Sequence, residues 1–371
     1  MKYVDEYRDP QLAASLVAKI RSVSTRRWTL MEVCGGQTHG LLRHGIDEAL
    51  EEVVEMLHGP GCPVCVTPIE SIEKAIELAR QPQTILASFG DMLRVPGATG
   101  SLLKAKSQGA DVRVVYSPLD AVEIAKKNSN AHVVFFAVGF ETTAPATGLA
   151  VLQAQRLGLE NFSLLSAHVR VEPAMQSIAQ SPDCRVQGFL AAGHVCTVMG
   201  YDCYQEFSRK YRLPVVVTGF EPIDLLSGIY ECVRQLENEQ CEVANEYARS
   251  VRSEGNLHAQ SIIEQVFEIA DRPWRGLGVI PQGGLVLRDE FKQFDADSRF
   301  PKISAQFPEP PECLSGEVMT GRIRPPQCPQ FGLACTPQNP LGAPMVSSEG
   351  ACAAYYAYQS RRRVAEVGAE P

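Results

Sequence analysis

The chain has 371 residues, 45% of them hydrophobic, and its 43 acidic against 35 basic side chains give a net charge of −8. That balance excludes the basic surface by which proteins hold nucleic acid, and the longest apolar runs are far too short to span a bilayer. There is chain enough for two or three domains with buried cores.

Residues Met1 to Asp9 mix charges and lack an apolar h-region, so no signal peptide is expected and the chain reads as cytoplasmic. In that reducing compartment twelve cysteines point to metal ligation or redox chemistry rather than a disulfide framework. Cys184, Cys203, Cys232 and Cys241 have no spacing partners and read as small, partly buried hydrophobes.

Up to about residue 240, short β-branched runs alternate with helical patterns. Strands are expected at Trp28–Val33, Val53–Leu57, Thr84–Ser88, Val112–Tyr116, His132–Val138, Phe162–Ser166, Val186–Leu190 and Pro214–Thr218. Helices are expected at Ile69–Arg80, Leu119–Lys126, Thr143–Gln155 and Pro222–Glu239. Strands apolar on both faces and separated by helices imply parallel sheets covered on both sides. The fold class is therefore α/β, with two Rossmann-like parallel-sheet domains over residues 1–130 and 131–240. The polar stretch Lys126 to Asn130 is their expected boundary. The remainder, 241–371, reads as a third unit with little sheet, mostly helical or irregular. Helical composition appears at Glu246–Ala270 and again at Ala351–Val367.

The first chemical motif is Cys-Gly-Gly-Gln-Thr-His at 34–39, directly after a strand. The C-terminal edge of a parallel sheet is where ligands bind, and the two glycines let a ligand approach the backbone. A helix beginning near Thr38 is expected to lower the pKa of the Cys34 thiol. His39 could act as base, hydrogen-bond donor or ligand. The second motif, Gly-Pro-Gly-Cys-Pro-Val-Cys at 59–65, holds a C-x-x-C pair, Cys62 and Cys65. Thr67, Pro68 and Glu70 look like a capping box behind it, placing both sulfurs before a helix N-terminus. Thiol–disulfide exchange fits that setting, and half a zinc site is the competing reading.

Single polar residues stand at other strand ends: Asp91 after Phe89-Gly90, His168 after Ser166-Ala167 and His194 after Ala192-Gly193. Gly-Phe-Glu recurs at 139–141 and 219–221, each time after a strand and before a helix. The last set is Cys313, Cys328, Cys335 and Cys352, spaced C-x₁₄-C-x₆-C-x₁₆-C, which matches neither ferredoxins nor a zinc ribbon. Ten of the 25 prolines lie between Pro301 and Pro344. Such a segment forms little regular structure, and four thiolates on an iron–sulfur cluster or a zinc ion would hold it. The cluster is favoured because it would give the C-x-x-C pair an electron source. Glu349, in Ser-Ser-Glu-Gly-Ala-Cys at 347–352, is a further candidate.

Together the motifs resemble the HypD family of hydrogenase maturation proteins. The resemblance is carried by 34–39, 59–65, Gly-Phe-Glu-Thr-Thr-Ala-Pro at 139–145, Pro-Pro-Gln-Cys-Pro-Gln-Phe-Gly-Leu-Ala-Cys-Thr-Pro at 325–337 and Met-Val-Ser-Ser-Glu-Gly-Ala-Cys at 345–352. It departs from the family pattern at Pro344, where many relatives carry an additional cysteine. The resemblance implies a scaffold on which the Fe(CN)₂CO unit of [NiFe]-hydrogenase is assembled. Its implied partners are a HypC-type small chaperone and HypE, which passes on cyanide that HypF supplies. It implies two α/β domains and a cluster domain. Cys34 would bind the transient iron, Cys62 and Cys65 would exchange electrons, and Cys313, Cys328, Cys335 and Cys352 would hold one [4Fe–4S] cluster. His39, Asp91, His194 and Glu349 fall where the family has functional polar residues. Whether such a scaffold turns over as an enzyme stays open. So does a stand-alone, cluster-dependent protein disulfide reductase in which Cys34 binds no iron, and a zinc-stabilised interaction module without redox function.

Overall fold

The computed structural model describes residues 5–300 and 307–358. Its strands are β1 (Trp28–Glu32), β2 (Val54–His58), β3 (Thr84–Ser88), β4 (Asp111–Val114), β5 (His132–Gly139), β6 (Phe162–His168), β7 (Gly188–Ala192), β8 (Val215–Thr218), β9 (Val243–Asn245), β10 (Phe267–Trp274) and β11 (Gly278–Leu287). Helix α1 (Pro10–Val23) precedes β1, and α2 (Gly35–Arg43), which follows it, bears on the site. Strands β3, β5 and β6 are Val-, Ile-, Leu- and Phe-rich and buried on both faces. Helix-covered parallel strands have that character.

Both sheets are parallel, but they do not divide the chain at residue 130. One has the order β2-β1-β7-β8-β9 and the other β4-β3-β5-β6. Pairing of Thr84 with His132 through Ser88 with Phe136 runs across the expected boundary, so that boundary falls within a single sheet. The second sheet is in effect inserted between β2 and β7 of the first. Local alternation of strand and helix marks the strands but not their neighbours, because a parallel crossover can be of any length.

The region after residue 240 also differs from expectation. Its helix covers only Leu257–Val266, and the chain then turns into an antiparallel hairpin, β10–β11. Phe267-Glu268-Ile269-Ala270-Asp271-Arg272-Pro273-Trp274 carries too little helical periodicity to prolong that helix. The hairpin packs on β6 and on the helix Val171–Ala179. Helical structure in the tail covers 351–358, and residues 359–367 of the expected tail lie outside the described residues. Among the described residues no helix is long and apolar enough to cross a membrane.

One core cluster joins the two sheets. It takes Met31, Val33 and Phe189 from the first, Phe140 and Val169 from the ends of β5 and β6, and Trp274 from the hairpin. Cys34, Cys62 and Cys65 belong to the same cluster.

Candidate functional site

In the first sheet the chain leaves β1 toward β2 on one side, while β7 leads to β8 on the other. The strand order reverses between β1 and β7, and there the C-terminal strand ends part to form a crevice. Cys34 follows β1 and His194 follows β7, and the two meet with Sγ 3.5 Å from Nδ1. Burial lowers the His194 pKa to about 4, so the ring is neutral near pH 7. Phe220, after β8, lies with its ring centroid 5.4 Å from that of His194. Gly36 has no room for a side chain here, since a Cβ would come within 3.1 Å of the Phe220 ring.

α2 begins at Gly35 rather than near Thr38, which makes Cys34 its N-cap. The thiol pKa is raised, not lowered as the sequence led us to expect. Burial is the largest cause; hydrogen bonds from the Gln37 and Gly36 backbone oppose it, and the Glu32 and Glu349 charges add to it. Desolvation outweighs the helix N-terminus because the sulfur is almost fully enclosed. The Cys34 thiol is therefore protonated near pH 7.

Glu32, wholly buried, ends β1 and stands opposite His58 in the parallel register. Its carboxylate accepts from the Cys34 N–H at 2.8 Å, from the Thr38 hydroxyl and from His58 Nδ1 at 2.7 Å. His58 Nε2 in turn meets the Tyr355 hydroxyl at 3.0 Å. Neither Glu32 nor His58 was singled out from sequence. The available signal was a polar residue closing each of two largely apolar strands, just before a cysteine motif.

Cys62 and Cys65 form a disulfide with Cα atoms 5.2 Å apart, buried beside Cys34. Gly61 makes that approach possible: a Cβ would stand 2.2 Å from the Cys34 backbone nitrogen. The Gly35 N–H donates to the Gly61 carbonyl at 2.9 Å. The expected capping box behind the pair is not formed. Cys62 caps a short helix, Pro63–Val66, and a separate helix, Ile69–Ala79, starts after Pro68 with no side-chain cap. Pro63 and Pro68 each open a helical turn, which splits the segment in two, and the Thr67 hydroxyl donates back to the Pro63 carbonyl instead.

Cys313, Cys328, Cys335 and Cys352 line one cavity, together with Phe331 and Met345. Burial, then the other three cysteines, push the Cys352 thiol up. Burial also raises Cys335, against hydrogen bonds from the Leu341 and Gly342 backbone. Gly342 leaves room for the Cys313 sulfur, which a Cβ would approach to 2.3 Å. Four sulfurs gathered in one cavity, with the Leu341 and Gly342 N–H groups aimed at that of Cys335, are a donor set that suits an inorganic iron–sulfur core. Among the described residues no group of three Cys, His, Asp or Glu is placed to hold a single metal ion. The helix Pro63–Val66 packs against Ala343–Met345, whose Pro344 and Met345 line the cavity, so the disulfide and the four cysteines are neighbours.

The remaining candidates divide. Glu349 reaches the Cys34 site: its backbone covers Gly35, and its charge acts on the thiol. Burial and then Asp91 raise the Glu349 pKa. Asp91 belongs to the end of β3 and accepts from the Ser347 hydroxyl at 2.9 Å, tying the second sheet to the Glu349 loop. His39 meets the Tyr358 hydroxyl at 2.8 Å. His168 is buried beneath Thr147 and Ser166 with a pKa lowered to about 3 by burial, and is a core residue.

The two Gly-Phe-Glu segments occupy unlike surroundings. Glu221 pairs with Arg8 at the surface. Glu141 is buried, accepts from the Val171 N–H at 3.1 Å, and leaves Oε2 without a hydrogen-bond partner in the protein. Burial raises its pKa from 4.5 to about 7. A carboxyl that keeps its proton longer in the folded state loses stability as pH rises through that interval, by roughly 3 kcal/mol in full. The urea midpoint of the wild type should fall between pH 4.5 and about 7, the interval set by the shift, and Glu141→Gln should flatten that fall.

The family profile described as "Hydrogenase formation hypA family" (HypD) matches residues 11–359. "Hydrogenase maturation factor HypD" of Azotobacter vinelandii is 48% identical, covering 98% of each chain. "Hydrogenase expression/formation protein HupD" of Azotobacter chroococcum mcd 1 is 47% identical over 98% of this chain and 99% of its own. "Hydrogenase maturation factor HypD" of Escherichia coli (strain K12) is 45% identical over 97% of this chain and 99% of its own.

Proposed function

The chain belongs to the HypD family of hydrogenase maturation factors, and from that premise we propose that it is the scaffold on which the Fe(CN)₂CO unit of a [NiFe]-hydrogenase is assembled. The observation that carries the proposal is the convergence of Cys34, His194, Glu349 and the Cys62–Cys65 disulfide at one sheet crevice beside a four-cysteine cavity. In this reading Cys34 is the thiol that takes the iron cargo, sharing it with a HypC-type small chaperone. HypE, supplied by HypF, delivers the cyanide. Low-spin iron with cyanide and carbonyl ligands is a soft centre suited to thiolate.

The chain's own residues perform the following work. Cys34 gives up its thiol proton to solvent as iron binds, and the neutral His194 ring, 3.5 Å from the sulfur, is in reach to orient the thiol by a hydrogen bond. Gly36 leaves space beside the sulfur, which a Cβ there would approach to 3.6 Å, while Gly35 and Gly61 let Glu349 and the Cys34 backbone pack close. Phe220 walls the crevice with an apolar ring that excludes water. Cys62 and Cys65 cycle between disulfide and dithiol, taking up two electrons and two protons on reduction. Cys313, Cys328, Cys335 and Cys352 would hold a [4Fe–4S] cluster. When bound, that cluster supplies one-electron redox chemistry beside the disulfide.

The test is complementation in a host lacking its own HypD. The wild-type chain should restore hydrogenase activity. Cys34→Ala should leave activity at background, yet keep Cys62–Cys65 exchange with a dithiol reagent at the wild-type rate. An active Cys34→Ala would instead favour the stand-alone disulfide reductase.

A further inference from the structure

Cys34 is joined to the C-terminal cysteine unit by contacts that the assembly reading does not use. Segment 349–358 carries Cys352 and lies along one face of α2, meeting Gly35, His39 and Leu42 at helical spacing. Glu349 covers Gly35, the Tyr358 hydroxyl meets His39 Nε2 at 2.8 Å, and Ala354 and Tyr355 bury against Leu42. A second path runs from Tyr355 to His58, then to Glu32, then to the Cys34 N–H, in bonds of 3.0, 2.7 and 2.8 Å. Glu32, His58 and Tyr355 are all buried, where a broken hydrogen bond costs most. His58 also stands four residues before Cys62, at the end of the strand paired with β1. The chain of bonds therefore runs from Cys34 to residues four positions before Cys62 and three positions after Cys352.

We propose that Tyr355 and Tyr358 are positioning residues through which the four-cysteine unit sets the orientation of Cys34. The Tyr355–His58–Glu32 path holds the Cys34 backbone, and the Tyr358–His39 pair holds the helix that Cys34 caps. Seating of the C-terminal unit thereby closes the crevice around the thiol, and its release opens it. This rests on reading Cys34 as the working thiol.

The experiment measures iodoacetamide alkylation of each cysteine in the full chain, by peptide mass spectrometry, with Cys241 as internal reference. No iron cargo is added, so a failure of cargo binding would leave the outcome readable. Tyr355→Phe and Tyr358→Phe keep the ring and remove only the hydroxyl. Tyr355→Phe should speed Cys34 alkylation about tenfold, the effect of losing one buried hydrogen bond on a local opening, and Tyr358→Phe, whose bond is part-buried, about threefold. Cys241 should be unchanged, and iron and sulfide should be retained. His58→Gln added to Tyr355→Phe should give little further increase, because residues acting as one chain are not additive. An unchanged Cys34 rate, additive effects along the path, or an equal rise at Cys241 would each overturn the proposal.

Discussion

Serine at Cys335 or Cys352 is expected to strip iron and acid-labile sulfide from anaerobically purified protein and to loosen the segment from residue 307 to 350. Between the described ends of that region the regular elements are short: a helix at Ser315–Met319 and single turns at Pro325–Gln327 and Ala343–Met345. In the cluster reading, burial of the segment depends on the four sulfurs and the group they would hold. The apparent melting temperature should drop by roughly 10 °C, as expected when several kcal/mol of ligand-coupled stability are lost from a chain of this size. Limited proteolysis should cut first in the proline-rich stretch. Protein that kept full stability and a colourless zinc ion, without sulfide, would support the zinc module instead.

Removal of the dithiol is the second large effect. Cys62→Ser and Cys65→Ser should each reduce hydrogenase maturation to background, because a single sulfur cannot form and break the disulfide. The fold should survive, since serine replaces sulfur at little change of volume. The expected melting shift is small, within about 1–2 kcal/mol. The burial of both cysteines sharpens the expectation: a large external reductase has no direct path to them, so reduction in the purified chain should depend on the state of the four-cysteine unit. A Cys65→Ser variant with normal maturation would show the pair to be structural.

Much of this was legible in the sequence for a physical reason. β3 was placed to the residue and β5 nearly so, because strands buried on both faces are short β-branched runs bounded by polar turns. Cysteine and histidine motifs at strand ends could be located for the same reason, since sheet polarity fixes which end forms the crevice. What could not be read was non-local. Interleaving of the two sheets depends on which strands pair, and no local pattern records that β1 neighbours β7. The Glu32–His58–Tyr355 path requires the β1–β2 register and the docking of a helix some 300 residues away in sequence. The sense of the Cys34 pKa shift was missed because helix-terminus electrostatics is a local argument, whereas burial is a property of the finished fold. The β10–β11 hairpin was missed because its strands are half exposed, so their apolar residues are too sparse to show a period.

The central claim is that Cys34 carries a cyano-iron cargo. Infrared spectroscopy of the anaerobic complex with a HypC-type chaperone tests it most directly. Cyanide and carbonyl stretching bands should be present with the wild-type chain and absent with Cys34→Ala, although the two proteins hold equal cluster iron. Bands that persisted in Cys34→Ala, or that never appeared with the wild type, would contradict the account.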